Sequence, residues 1–281
     1  MQQLRFFAFS FCVFFFLIGC GDEDAASSSR LRISLTDAAS LSLKEFSLDI
    51  QKIEASVKDP LSGSEAEWVT LDYVPKTYNL LNYTNGKSER LVDQFFPSGE
   101  LLNLRIVFGS GSYLKLADKP SEKVALKVPQ DLQTDGLIID LDTAATVYSS
   151  TICSIVFDVN VLQSIKEVSG EFHFNPAIRA FPETFGGSLK GYVTPVDALA
   201  YVMITQGSRR FVSWPEASDG MFLFTGLKYG EWTINIVPTE ANNLYQAVEL
   251  TDTIETGKVL NLNTIKLTTK SITDNGTGDE S

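Results

Sequence analysis

Leu31-Arg32-Ile33-Ser34-Leu35-Thr36 alternates apolar and polar residues one by one. Successive side chains of a β-strand point to opposite faces of a sheet, so this period of two predicts a strand with one buried face. Similar stretches recur at residues 46–53, 68–71, 102–108 and 152–161. The chain is therefore predicted to contain many short strands.

Turn-forming residues lie between these strands, at Asp59-Pro60, Asn85-Gly86, Pro97-Ser98-Gly99 and Gly109-Ser110-Gly111. Only residues 80–83 and 88–95 have a pattern that also suits a helix. Short strands separated by regular turns are typical of β-sandwiches. The sequence predicts an all-β protein with two β-sandwich domains.

The composition is that of a folded protein, with 44% hydrophobic and 21% charged residues in a chain of 281. The net charge is −12 and no Lys/Arg-rich stretch is present. Nucleic-acid binding needs a basic patch that faces the phosphates, so nucleic acid is not an expected partner.

The N-terminus has the pattern of an export signal. Arg5 precedes an apolar run over residues 6–18, which is too short for a stable membrane-spanning helix. The run ends in Leu17-Ile18-Gly19-Cys20, which resembles the lipobox of bacterial lipoproteins. The resemblance implies that residues 1–19 are removed and that Cys20 carries the lipid that anchors the protein to a membrane.

Asp22-Glu23-Asp24 follows this cysteine directly and resembles the acidic export tag of some Gram-negative surface lipoproteins. Residues 20–30 are expected to form an acidic and Ser-rich tether. We therefore expect a lipid-anchored protein of the outer membrane, with Asp22, Glu23 and Asp24 directing it to the cell surface.

The region 31–181 resembles the family catalogued as domain of unknown function 4382. The resemblance rests on Leu31-Arg32-Ile33-Ser34-Leu35-Thr36-Asp37-Ala38, Trp68-Val69-Thr70-Leu71, Tyr78-Asn79-Leu80-Leu81, Thr84-Asn85-Gly86, Pro97-Ser98-Gly99, Leu104-Arg105-Ile106, Phe157-Asp158 and Asn175-Pro176-Ala177-Ile178-Arg179. Val128-Pro129-Gln130-Asp131 departs from the Pro-Ser-Gly usual in the family. The family implies an extracytoplasmic lipoprotein and no known activity.

Phe185-Gly186-Gly187-Ser188 marks a boundary, at which we expect a small or flexible junction. The region 188–268 resembles the carboxypeptidase regulatory-like, or prealbumin-like, β-sandwich, through a predicted hairpin over residues 219–234. The resemblance implies a non-catalytic module of a carbohydrate-binding-like fold. Residues 269–281 are predicted to be a disordered tail.

Catalytic signals are few. His173 is the single histidine, and the pattern of Glu171-Phe172-His173-Phe174 is typical of a strand residue. No Gly-x-Ser-x-Gly motif occurs. Paired carboxylates for polysaccharide cleavage have no sequence signature, so that alternative stays open. We expect no enzyme activity and no catalytic residues.

Metal and cofactor motifs are also missing. Zinc binding requires clustered Cys and His residues. Calcium bound by loop carboxylates stays open, since Asp140 and Asp142 share one strand face without forming a calcium loop. Cys153 lies in an apolar run, which favours a buried thiol over a reactive one.

Trp214 is the tryptophan that precedes a predicted turn, and it is the candidate platform for a sugar ligand; the alternative is a cap over the sandwich end. Trp68 and Trp232 lie in apolar strands and are predicted to be core residues.

These patterns together favour a non-enzymatic surface lipoprotein that acts as a binding, adhesion or accessory module with a glycan or envelope protein as partner. The alternatives are a carbohydrate-binding lipoprotein of a glycan-utilisation system and an envelope polysaccharide-active enzyme.

Overall fold

The computed structural model describes residues 29–37, 43–61, 63–240 and 244–270. This part of the chain is nearly all β, as predicted. The first part contains thirteen strands: β1 (Ser29–Asp37), β2 (Leu43–Lys58), β3 (Glu67–Thr70), β4 (Lys76–Asn79), β5 (Glu89–Phe96), β6 (Gly99–Phe108), β7 (Tyr113–Leu116), β8 (Val124–Lys127), β9 (Leu137–Val147), β10 (Ile152–Val159), β11 (Ile165–Val168), β12 (Glu171–Phe174) and β13 (Ile178–Pro182). A short helix, α1 (Gln130–Thr134), and a 3-10 turn (Leu80–Asn82) complete it.

These strands form one hydrogen-bonded sheet in the order β11-β12-β8-β7-β2-β6-β9-β13-β10-β1-β5, with β3 and β4 paired to β2. Strand β1 buries Leu31, Ile33 and Leu35 completely, as its alternation predicts. Bulges in the long strand β2 let it pair with β3 and β4 along one edge and with β6 and β7 along the other. Because β1, β2, β6 and β10 all contribute to a single hydrophobic cluster, the sheet wraps around one core.

The second part contains seven strands: β14 (Gly187–Thr194), β15 (Ala200–Gln206), β16 (Arg209–Ser213), β17 (Met221–Leu227), β18 (Gly230–Pro238), β19 (Val248–Ile254) and β20 (Val259–Lys266). They form a three-stranded sheet, β17-β14-β20, and a four-stranded sheet, β16-β15-β18-β19. Leu189 and Phe222 from the first sheet and Trp232 and Ile234 from the second are fully buried in a separate cluster.

The predicted hairpin over residues 219–234 is wrong in one respect. Strands β17 and β18 do not pair, because the chain crosses from one sheet to the other between them. Phe222 and Trp232 therefore meet from opposite sheets. The prediction that both face one core is correct, since alternation fixes the face of a residue but not its neighbouring strand.

Two further local predictions differ from the structure. Residues 88–95 are not helical but form β5, because the edge of β1 supplies backbone partners along its whole length. Trp68 is not a core residue: it is 37% exposed on the short strand β3, with the Arg105 guanidinium carbon 4.0 Å from its ring centroid. At residues 80–83 the helical pattern corresponds to the 3-10 turn, whose Leu81 N–H is capped by the Asn79 side chain.

Candidate functional site at the junction of the two units

A tight turn of the first unit reaches the second. Asn85 and Gly86 both have positive φ, 52° and 88°, and the Lys87 N–H donates to the Thr84 carbonyl over 3.1 Å. Two successive residues with positive φ are characteristic of a type I′ turn, for which Asn-Gly is the preferred pair. The sequence thus places the Asn85 side chain at the tip of the turn.

The Asn85 side chain is buried and bonds only to the second unit. Its Nδ2 donates to the Trp214 carbonyl at 3.1 Å and to Glu216 Oε1 at 3.4 Å. Its Oδ1 accepts from Ser213 Oγ at 3.0 Å and from the Leu223 N–H at 3.2 Å. All the hydrogen-bonding capacity of the amide is therefore directed across the junction.

Arg179, at the start of β13, forms a second connection. Its Nε and Nη2 bond Asp158 Oδ2 at 2.8 and 2.6 Å, and its Nη1 lies 3.6 Å from Asp142 Oδ2. The same guanidinium donates to the carbonyls of Thr225 and Gly226, each at 2.8 Å. Carboxylates of the first unit thus orient a cation toward backbone oxygens of the second.

Two aromatic rings cover this guanidinium. The Arg179 Cζ lies 4.5 Å from the Phe181 ring centroid and 4.3 Å from that of Phe211, one from each unit. Gly226, with φ of 62°, packs so closely that a Cβ there would lie 2.4 Å from the Phe181 ring. Planar stacking of an Arg between rings is stabilising when the group is desolvated.

Gly186 and Gly187, where the sequence predicts a small or flexible junction, pack closely against backbone of the second unit. A Cβ on Gly186 would lie 2.1 Å from the Leu227 carbonyl oxygen, and one on Gly187 would lie 2.3 Å from that of Glu255. The absence of a side chain at both glycines allows the backbones to approach this closely.

A cleft of about 230 Å³ lies between the units beside Asn85 and Arg179. Polar side chains and apolar side chains, among them two aromatic rings, line it together: Thr36, Asp37, Asn85, Asp158, Asn160, Gln163, Arg179, Ser213, Ile178, Val212, Leu223, Phe211 and Phe224. Typical small-molecule sites occupy roughly 300–1,000 Å³, so this cleft suits only a small polar group or the tip of a larger ligand.

A larger groove of about 680 Å³ also borders the junction. Seven hydroxyl-bearing side chains line it: Thr143, Thr146, Tyr148, Ser154, Thr184, Tyr229 and Thr256. Tyr148 and Tyr229 are largely exposed, and Glu183 and Lys228 contribute the charges. Cys153 also lines the groove, and burial raises the pKa of its thiol, which disfavours the reactive thiolate.

Of the residues singled out from the sequence, Cys20, Asp22, Glu23 and Asp24 lie outside the described residues. Trp214 lies in the loop after β16, as expected, and its half-buried ring packs edge-on against Tyr201 with centroids 5.2 Å apart. It borders a hollow of only about 50 Å³, whereas its backbone carbonyl takes part in the Asn85 network. Whether its ring contacts a ligand stays a prediction.

His173 is a partly exposed residue of β12, with its Nε2 3.8 Å from Glu171 Oε2. Asp140 accepts from the Asn103 amide, while Asp142 faces Arg179. Within the described ranges, no group of three or more His, Cys, Asp or Glu side chains is arranged to hold a metal ion. No helix in that part of the chain is long and apolar enough to cross a membrane.

The sequence analysis did not predict that Asn85 and Arg179 belong to one site. Both lie in motifs that suggested the family resemblance, and Asn85-Gly86 was identified as a turn. Nothing in the local pattern indicates that these two motifs, about ninety residues apart, face the same second unit.

Several solved structures are similar to the chain at low identity. The Bacillus anthracis TIE protein is 12% identical over 86% of this chain and 34% of that chain, with a TM-score of 0.24, so the chain spans about a third of its length. The C-terminal fragment of the pilus adhesin SpaC from Lactobacillus rhamnosus GG is 10% identical, covers 87% of this chain and 99% of that chain, and has a TM-score of 0.25. GBS52, the minor pilin of Streptococcus agalactiae, is 12% identical over 85% of this chain and 96% of that chain, with a TM-score of 0.23. TM-scores in this range do not establish a shared function.

No curated protein matches the chain. The family model for the domain of unknown function DUF4382 matches residues 28–176, which is more than half of the 281 residues. The match includes β1 to β12 and the Asn85 turn, and it ends just before Arg179. The chain therefore belongs to the DUF4382 family.

Proposed function

We propose that this chain is a non-enzymatic, lipid-anchored protein of the outer membrane, displayed at the cell surface, that binds an envelope protein or glycan at the junction of its two units. The anchor is the lipid on Cys20, and Asp22, Glu23 and Asp24 direct surface display. The support for the anchor and its location is the sequence pattern of the N-terminus.

The binding role rests on the geometry of the junction. Asn85 and Arg179 hold the two units together with hydrogen bonds and stacked rings, so that the walls of the cleft and of the groove are formed before any ligand arrives. A preformed site loses less conformational entropy on binding than a flexible one. A junction between rigid units is also a common place for a binding site.

The second unit serves, in this proposal, as a carboxypeptidase regulatory-like module. Its support is a sandwich of three and four strands with Phe222 and Trp232 in the core. Such a module would supply a rigid wall for the groove, through Tyr229 and Lys228, rather than a catalytic group.

Anchoring and display are tested on whole cells. Cys20→Ser should leave an unprocessed precursor, detected by mass spectrometry. Protease added to intact cells should digest the wild type but spare a variant with Asp22, Glu23 and Asp24 replaced by alanine. A soluble wild-type product cleaved at another bond would contradict lipidation, and full protection of the wild type would place it in the periplasm.

Binding at the groove is tested by a photo-crosslinking residue at Tyr229 in living cells. We expect covalent adducts with an envelope component from this position and none from Val74, which is exposed in the first unit away from the groove. Equal labelling from both positions would argue against a site at the junction.

Direct carbohydrate capture is the second candidate, favoured by the exposed tyrosines and hydroxyl groups of the groove. Sugars stack on aromatic rings and bond to hydroxyls, so a glycan array should show binding that Tyr229→Ser weakens and Val74→Ser does not. Release of reducing ends from a polysaccharide by the purified protein would instead contradict the non-enzymatic proposal.

A further inference from the structure

Exposed apolar side chains gather at the end of the first unit where the described chain begins. Leu61, Phe95, Tyr148 and Ile152 have relative exposures of 94%, 67%, 66% and 48%. We call this set the apolar end. Large apolar side chains that are exposed together on a folded protein indicate a contact surface.

Strand register places two of these residues beside the first residues of β1. Arg30 pairs with Phe95 on one side and with Ile152 on the other, so the three form one row across β5, β1 and β10. Neighbouring strands lie about 4.8 Å apart, so the row is only about 10 Å wide. The Arg30 guanidinium carbon lies 5.5 Å from the Phe95 ring centroid.

The other two residues extend from loops at the same end. Ser98 lies within hydrogen-bond distance of both Ser29, at 3.3 Å, and Ser149, at 3.0 Å, which brings the loop with Tyr148 beside the start of β1. The loop that carries Leu61 follows Lys58, the last residue of β2, which pairs with Glu100 near the start of β6. Three loops and the first residues of β1 therefore share one end of the sheet.

The Asn85 turn, which bonds the second unit, lies toward the opposite end of β1. Thr36 Oγ1 donates to the carbonyls of Tyr83 and Lys87, on either side of the Asn85 turn. At about 3.3 Å per residue, Thr36 lies about 23 Å along β1 from Ser29. Tyr148 and Ile152 also line the groove, together with Tyr229 of the second unit, whereas Phe95 and Leu61 do not.

The proposed lipid site is close in sequence to this end. Eight residues separate Cys20 from Ser29, so even a fully extended segment spans at most about 30 Å. A diacyl anchor on Cys20 therefore keeps the apolar end within a short distance of the membrane.

We propose that the apolar end lies against the lipid surface, an inference that rests on lipidation of Cys20. Aromatic side chains favour the interface between headgroups and hydrocarbon, and Leu61 and Ile152 gain by leaving water. The Arg30 guanidinium at the centre of the row is paired with Asp93, with Nη2 2.7 Å from Oδ1, so the apolar side chains carry the proposed contact. The lipid anchor supplies the affinity for the membrane. It also keeps the apolar end at a high effective concentration near the lipid surface, so that four weak contacts are enough to fix the orientation of the protein.

The test uses the full lipidated protein, purified and inserted into vesicles of phosphatidylethanolamine and phosphatidylglycerol. In a Cys153→Ser background, an environment-sensitive fluorophore is placed at Phe95→Cys or, as a matched control, at Leu244→Cys, which is 66% exposed in the second unit. We expect a blue shift at position 95 and quenching by doxyl-labelled lipids several-fold stronger than at position 244.

The outcomes separate this proposal from the proposed anchor. Protein that does not float with the vesicles contradicts lipidation itself. Protein that floats, but whose label at position 95 is quenched no more than that at position 244, overturns the membrane-facing orientation alone. A blue shift at position 95 that needs no vesicles and grows with protein concentration would assign the surface to self-association and also overturn the proposal.

Discussion

The Asn85 side chain makes many of the specific contacts between the two units. Its amide satisfies donors and acceptors on Ser213, Trp214, Glu216 and Leu223, all in loops or strands of the second unit. Asn also tolerates positive φ better than most residues, so the turn and the contact depend on the same residue type.

We predict that Asn85→Ala lowers the free energy of unfolding by about 1–3 kcal/mol, because it leaves the buried Ser213 hydroxyl and Leu223 N–H without their acceptor. Chemical denaturation measures the loss. Asn261→Ala, in the exposed last strand, is the control and should cost well under 1 kcal/mol. A junction that tolerates Asn85→Ala as well as Asn261→Ala would mean that the contacts of Arg179 are sufficient to hold the units together.

The two tryptophans of the second unit are predicted to differ strongly. Trp232 is fully buried, its Nε1 donates to the Lys228 carbonyl at 2.9 Å, and its ring lies 5.9 Å from that of Phe211. Trp232→Ala should therefore cost about 3–5 kcal/mol. Trp214→Ala should cost less, because the half-buried Trp214 ring packs mainly on Tyr201. Thermal melting of both variants in the full chain compares them, and a larger loss for Trp214→Ala would contradict this ranking.

At the scale of elements, the crossing from β17 to β18 depends on Gly226. Its positive φ and its contact with the Phe181 ring both exclude a side chain. Gly207 has a similar φ, 58°, but nothing lies within 4 Å of where its Cβ would be. We expect Gly207→Ala to cost about 1–2 kcal/mol for the backbone conformation alone.

Gly226→Ala should cost about 1–3 kcal/mol more than Gly207→Ala, since the methyl group must displace the Phe181 ring. Denaturant titration of the two variants measures the difference. Equal losses would show that the Phe181 ring moves freely, and that the crossing is not closely packed against the first unit.

The pairing of β2 with β7 includes an ion pair that is sensitive to pH. Hydrogen bonds from Lys115, at 2.7 Å, and from Tyr113, at 2.6 Å, lower the pKa of Glu45 to about 2 from its ordinary 4.5. Because the pKa is lower in the folded state, the stabilisation is present above pH 4.5 and is lost as the pH falls toward 2.

We predict that Glu45→Gln lowers the free energy of unfolding by roughly 1–3 kcal/mol at pH 7, and by much less near pH 2, where about half of the wild-type carboxyl groups are protonated. Urea denaturation across this pH range measures the two values. Glu122→Gln, at an exposed turn, is the control and should show no such dependence. A Glu45→Gln effect that stays constant with pH would contradict the lowered pKa.

At the scale of the whole molecule, two hydrophobic clusters with no residue in common meet across a polar and aromatic junction. We therefore propose that regions 31–181 and 188–268 fold independently. A unit of eighty residues has a small margin, on the order of 5 kcal/mol. The first unit alone would expose Phe181, which the second unit covers, so we expect it to melt at a lower temperature than within the full chain. Separate expression and calorimetry test this, and an unfolded fragment would contradict independence.

Much of the fold follows from local pattern. The alternation of residues 31–36 predicted β1 and its buried face, and the same argument placed Trp232 in a core. The same argument failed at residues 88–95 and at Trp68, because the pattern within a segment does not show which strand edge lies beside that segment. The pairing of β5 with β1, and the position of β3 at an edge, depend on residues far away in the chain.

The sequence by itself determined the all-β class and the family, because these depend on side-chain periodicity and on motifs that are read along the chain. Only the tertiary structure decided that β17 and β18 lie in opposite sheets, that Gly186 and Gly187 pack closely, and that Asn85 and Arg179 join the two units. Hydrogen bonds and ring stacking act through space over a few ångströms. The packing of both cores together determines which distant residues come that close. No single segment determines it.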